Sequence, residues 1–199
     1  MDKPVSRLAR GIAHLTLVAS LVGCGGATLD DQNSESGISP RMMADALHHV
    51  LESDRTVYAR HVVHRLQDQE GVILASEHWE DDRALPLPAQ MFRMGAQLTA
   101  ERTDAFSYAL LSMWPINTRN APTTEAETAG LQSVAEDPFT PFYRTETLGG
   151  AEYFTAVYAD VAVSPACIAC HNAHPDSPRD DFGLNETMGG VVIRIRLDG

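Results

Sequence analysis

Cys167-Ile168-Ala169-Cys170-His171 sets two thiols two residues apart with an imidazole directly behind the second, and it restricts this chain more tightly than any other stretch. Thiols at that spacing can each add to one vinyl group of a haem, which brings the following histidine beneath the iron as an axial ligand. The pentapeptide therefore reads as a c-type haem attachment site. Two other uses share the spacing. A structural zinc site needs about four N or S ligands, and the only further cysteine is Cys24. A thioredoxin-like redox pair belongs between an early strand and a helix of a βαβ unit, whereas this motif follows a strand-like run near the C-terminus and leads into a predicted loop over residues 171–175. Haem c is the expected cofactor, bound through Cys167 and Cys170 with His171 on the iron.

Such chemistry needs an oxidising compartment, and the N-terminus predicts one. Lys3, Arg7 and Arg10 form a positive n-region, residues 12–22 are mostly apolar, and Leu21-Val22-Gly23-Cys24 closes the segment. Residues 1–23 are read as a signal peptide, too short to span a bilayer stably. The closing tetrapeptide resembles the bacterial lipobox, which implies cleavage before Cys24 and lipidation of that residue. The alternative is an ordinary secreted chain in which Cys24 is incidental. Gly25 in place of aspartate favours the outer membrane, so the expected location is the periplasmic face of a bacterial membrane. Each cysteine then has a use, and none is left for a disulfide.

Removing residues 1–23 from 199 leaves 176, enough for one domain with a sizeable core. The same cut takes three basic residues and Asp2, moving the formal net charge from −12 to −14. So acidic a surface repels nucleic acid and favours a basic protein partner, more weakly as salt rises. Residues 24–40 are small, polar and without period, which predicts a flexible tether, with the folded domain spanning 41–199. Over residues 41–69, Met43, Leu47, Val50, Leu51, Val57, Tyr58 and Val62 recur at three- and four-residue steps, the stripe of one long helix. At 100° per residue His61 projects near the middle of that stripe, His64 at its edge, and His48 and His49 elsewhere.

Residues 71–76 predict a strand or a second helix, and Leu85-Pro86-Leu87-Pro88 neither. Further expectations are a helix over 89–102, a strand over 106–114, a turn-rich loop over 115–122, and a short helix capped by Thr123 or Thr124 with Glu127 in its first turn. Strands are expected at 143–147, 152–163 and 188–197, the last alternating Val191, Ile193, Ile195 against Val192, Arg194, Arg196. The fold class predicted is α+β, an antiparallel sheet with a long N-terminal helix and short flanking helices.

Tyr58-Ala59-x-x-Val62-Val63, Leu87-Pro88-Ala89, Phe106-Ser107-Tyr108, Pro115-x-Asn117-x-x-Asn120-Ala121-Pro122-Thr123, the haem motif and Met188-Gly189-Gly190 occur in an order that resembles a single-haem c family with a PAS-like fold, long catalogued as a domain of unknown function. The resemblance covers residues 44–197. It implies a PAS-like antiparallel sheet with the long helix packed on it, and a haem that senses redox state or small ligands. In some members that helix lends the iron a cysteine; residues 41–69 hold none here. His61 is the first candidate for the sixth ligand, His64 the second and Met188 a third, against core roles for each. His174 is expected near a haem propionate or as a loop hydrogen-bonding group. Arg119, Arg93 and Arg179 are candidates for propionate pairing, and Trp79, Trp114 and Tyr143 for the pocket wall.

Three functions stay open. One is a haem-based redox or small-ligand sensor acting through an unidentified signalling partner. Another is a membrane-anchored electron carrier with a redox partner. The third is peroxidase-like catalysis, which needs an open iron site beside an acid–base group. Cys24→Ser should release the protein from membranes into the soluble periplasm, since a single acyl chain holds only marginally and a lipobox cysteine bears several. A variant that still sediments with membranes after a high-salt wash would place the anchor elsewhere.

Overall fold

The computed structural model describes residues 37–163 and 165–197. The signal segment 1–23, Cys24 and the tether up to residue 36 lie outside the described residues. Helix α1 (Pro40–Val57) starts where the sequence supplies both a cap and a compatible first residue. Ser39 accepts the Met42 N–H through its hydroxyl (3.2 Å), and Pro40 occupies the first turn, where its missing N–H costs nothing. The long helix is real, but beyond Val57 it continues as a π-helical segment, Tyr58–Gln69, ending with the Glu70 N–H on the carbonyl of Arg65 (3.0 Å). An i→i+5 ladder turns through fewer degrees per residue than an α-helix. The expected stripe does not run through, and it fails already within α1, before the ladder changes. Met43, Leu47 and Leu51 pack inward, while Val50, Val57 and His61 are exposed.

After this helix come β1 (Ala75–Ser76), α2 (Trp79–Asp82) and β2 (Leu85–Pro86). The expectation of no regular structure at residues 85–88 is corrected here. Ala75 and Ser76 pair in parallel with Leu85 and Pro86, and the Tyr58 hydroxyl donates to the Pro86 carbonyl (2.7 Å). A two-residue ladder with proline at its end gives up no essential N–H. Helix α3 (Pro88–Ala100) follows at once, and then β3 (Phe106–Leu111), shorter than expected, and a 3-10 turn over Thr118–Asn120. Next are α4 (Glu125–Glu136), β4 (Phe142–Leu148), β5 (Ala151–Val161), α5 (Pro165–Ala173) and β6 (Thr187–Arg196). β3, β6, β5 and β4 form one antiparallel sheet in that order. The α+β class holds.

The sheet is covered on both faces. On one, α1 and α3 set Ala44 and Phe92 against Ala156, Tyr158, Val191, Ile193 and Ile195. On the other, α4 buries Leu131 and Val134 against Val157, Val192 and Leu111. Gly130 permits this approach, since a Cβ there would stand 2.4 Å from Val157 Cγ2. The alternation predicted for β6 is present, but its polar face is not wet. Arg194 is only 18% exposed, bonding Glu127 (2.7 Å) and Glu146 (3.1 Å).

Thr124 caps α4, and Glu127 returns its carboxylate to the Thr124 N–H (3.0 Å), the expected capping box. Burial alone would raise the Glu127 carboxyl. The Thr123 N–H and Arg194 outweigh it and hold the group below its ordinary value near 4.5. The folded state therefore binds this proton less readily than the unfolded chain, so the contribution is complete above about pH 4.5 and is lost as pH falls below it. Glu127→Gln should lower stability by about 2–3 kcal/mol at neutral pH. The variant should also flatten the acid limb of the stability curve in urea titrations between about pH 3 and 6.

Candidate functional site

Helix α5 carries the whole attachment motif. The loop expected from His171 starts later, at His174, because Asn172 ties the last turn down: its amide donates to the Phe182 carbonyl (3.0 Å) and its carbonyl oxygen accepts the Phe182 N–H (3.0 Å). On a helix, separations of three and four residues share one side, so Cys167, Cys170 and His171 project together. Cys167 is half-buried, packing with Ile168 against Ala162, Phe182, Met188 and Trp114, while Cys170 is exposed. The protein around its sulfur, and then the Glu77 carboxylate, push the Cys170 thiol up. Among the described residues no group of three or more His, Cys, Asp or Glu side chains could hold a metal ion, which leaves the zinc alternative without a ligand set there.

His171 stands edge-on to Phe182, with ring centroids 6.0 Å apart and planes at 89°. Burial drives its pKa down, against the opposing pull of Asp160, so the ring is neutral at pH 7, the form that binds metals. Its Nδ1 is buried with no hydrogen-bond partner. An unmet buried nitrogen costs about 1–3 kcal/mol, and the residue types and their arrangement fit a covalently attached haem that takes up one imidazole nitrogen.

Behind Phe182, Trp114 packs edge-on at 6.0 Å, and the Arg179 guanidinium lies 4.7 Å from the Trp114 ring and 4.2 Å from Phe182. Asp181 and Glu186 each bond Arg179 at 2.7 Å. His174 accepts the Asp176 N–H at Nδ1 (3.1 Å) and brings Nε2 to 3.5 Å from Glu77, a loop-closing use of its ring.

The other wall was not legible in the sequence. Arg55 of α1 pairs with Asp160 at the end of β5, and it lies close enough to Cys167 to interact with it electrostatically. Burial would lower the Arg55 pKa, but Asp160 outweighs it, so the guanidinium stays charged. Four residues after Leu51, Arg55 falls on the apolar side of α1, and a charge in that position was the available signal. Two turns earlier, His48 stacks on Tyr158 at 3.9 Å with its own Nδ1 buried and unpartnered. Here the expectation that His48 points away from the packed side is corrected.

The remaining candidates scatter. His61 and His64 are both exposed on the π-helical segment, so the stripe-centre placement of His61 is corrected, and His64 bonds Asp68 (2.7 Å). Arg93 and Arg119 are exposed, the latter on the 3-10 turn. Met188 is 8% exposed and packs in the cluster beside Cys167. Tyr143 lies elsewhere, donating to Asp45 under α1 (2.7 Å), and Trp79 is half-buried on α2.

The profile of the Tll0287-like family matches residues 37–196, so the chain belongs to that family. Among solved structures it is similar to one described as the crystal structure of the cyanobacterial heme-protein Tll0287, with a TM-score of 0.52 at 14% identity, covering 80% of this chain and 97% of that one. Identity so low speaks for the fold alone. No curated protein matches the chain.

The Asn172 clamp is testable without any cofactor. Asn172→Ala removes both bonds to Phe182, which should cost about 2 kcal/mol and strip the Phe182 amide of much of its protection in hydrogen exchange. Unchanged protection would show that the loop is held by its aromatic packing instead.

Proposed function

We propose that this chain is an exported, lipid-anchored haem c protein that responds to redox state or to a small haem ligand and hands that signal to a separate protein partner. One observation carries the reading: α5 presents Cys167, Cys170 and a neutral, partly unsatisfied His171 from one side. Membership of a family whose structurally similar relative is described as a heme-protein supports it. The group would supply a one-electron couple, and an iron that takes an external ligand only where its sixth position is given up. The chain's own residues orient and insulate it. Phe182 fixes the His171 ring, the Trp114–Arg179 stack backs Phe182, and Arg55 with Asp160 places a compensated charge pair on the other side. His61 is offered as the sixth ligand, with His64 as its alternative, because both stand exposed and turned away from the core.

Haem staining after denaturing electrophoresis should mark the wild-type chain, and Cys167→Ala should abolish double attachment. Acid-acetone extraction that removes the stain from wild type would overturn covalent linkage. His61→Ala should shift the ferric absorption spectrum from low to high spin and admit carbon monoxide, whereas His64→Ala should change much less. A wild-type spectrum indifferent to carbon monoxide would remove ligand sensing from the reading and leave redox response or plain electron transfer. A wild-type iron that is already high-spin would overturn His61 and His64 as sixth ligands and leave ligand sensing or peroxidase-like chemistry.

A further inference from the structure

β4 is an outer strand of the sheet, and no strand among the described residues pairs with its outer edge. A groove of about 310 Å³ follows it, lined by residues 144–148 and by Thr124, Glu125 and Ala126 of the α4 start. An unpaired edge is a template for another strand, and natural proteins blunt such edges with proline, lysine or a cover. Phe142-Tyr143-Arg144-Thr145-Glu146-Thr147-Leu148 contains neither residue. At the opposite margin the chain leaving β3 is already engaged, where the Ser112 N–H donates to the Asn120 carbonyl (2.9 Å).

What distinguishes β4 is its symmetry about Thr145, the middle residue of the strand. Reversed and set against itself in that register, the strand places Arg144 opposite Glu146, Tyr143 opposite Thr147, Phe142 opposite Leu148 and Thr145 opposite Thr145. Every pair is of a favourable kind: opposite charges, aromatic with β-branched, apolar with apolar, threonine with threonine. Paired residues must lie on the same face, so the register can slip only in steps that keep this parity. Centring the pairing on Arg144 or on Glu146 would set like charges directly opposite, which is destabilising. The register with full seven-residue overlap is also the charge-complementary one. Arg144 is exposed and enters no ion pair among the described residues, so its charge is available to a neighbour.

We propose that β4 pairs antiparallel with β4 of a second copy of this chain, two-fold symmetric about Thr145, joining two four-stranded sheets into one of eight. Such an interface is isologous, with each Arg144 set beside the other copy's Glu146, which already holds Arg194 and the Thr155 hydroxyl but, with Glu127, leaves one negative charge in excess over Arg194. It closes both open edges at once.

Cysteine crosslinking of the full chain in mild detergent tests the register. Cβ atoms directly opposite stand about 4.5–5.5 Å apart, so Thr145→Cys should form a disulfide-linked dimer under a mild oxidant. Thr147→Cys should not, because the two copies of that residue are offset by four positions, about 13 Å along the strand. The unsubstituted chain is the background control. Arg144→Glu sets two pairs of like charges face to face and should raise the dimer dissociation constant roughly tenfold or more in sedimentation measurements, with an unchanged circular dichroism spectrum. All three positions are exposed or at the strand's outer side, so folding is not at stake. Equal crosslinking at 145 and 147, a monomer at every concentration, or a dimer that crosslinks through Ser107→Cys on β3 instead would overturn the proposal.

Discussion

β6 must satisfy two cores at once, and the rest of the molecule is arranged to let it. Val191, Ile193 and Ile195 face α1 and α3, while Val192 faces α4. The sheet thus needs a cover on each side, which fixes where every helix but the short ones can lie. At the far end of the strand Arg194 is carried under α4, and two carboxylates are brought to meet it. Glu127 comes from the helix and Glu146 from β4, the latter also accepting the Thr155 hydroxyl (2.6 Å). A buried guanidinium is tolerable only with such company, so the polar end of the core doubles as a register pin between α4, β4 and β6.

Much of this could be read locally. The Thr124 and Glu127 spacing announces the start of α4, and the β6 alternation shows the strand and both of its faces, whereas Ser39-Pro40, within the stretch expected to be tether, heads α1. These signals are short-range: the cap is made within a few residues, and the alternation is the two-residue period of a strand. The failures are of two kinds. A helical wheel presumes a constant turn per residue, so the change to i→i+5 bonding after Val57 moved His61 out of its expected place. The Arg55–Asp160 pair joins residues 105 apart, and no local pattern encodes that distance.

The motif itself needed no structure to be found, but its surroundings did. Sequence spacing states that two thiols and an imidazole belong together; it is silent on what holds the imidazole uncharged. Here that task falls to Phe182 and to burial, and Phe182 is in turn fixed by Asn172 from the same helix. Arg179, one of three arginines named for propionate pairing, instead lies against the rings of both Trp114 and Phe182, which meet edge-on, with two carboxylates around its rim. Positive charge and aromatic faces reinforce each other in that arrangement, giving the loop over residues 174–186 a rigidity its polar composition would not suggest.

Because β6 follows all the other strands in sequence yet lies inside the sheet between β3 and β5, neither core can close until that final segment is available. β3 waits, unpaired, while residues 112–186 are made. Contacts so distant in sequence make folding slow, and a chain shortened at its C-terminal end would lose the sheet's interior strand while keeping its margins. α5 is threaded between β5 and β6 in the sequence, so during that interval the two cysteines stay within reach of anything that must act on them before the fold shuts.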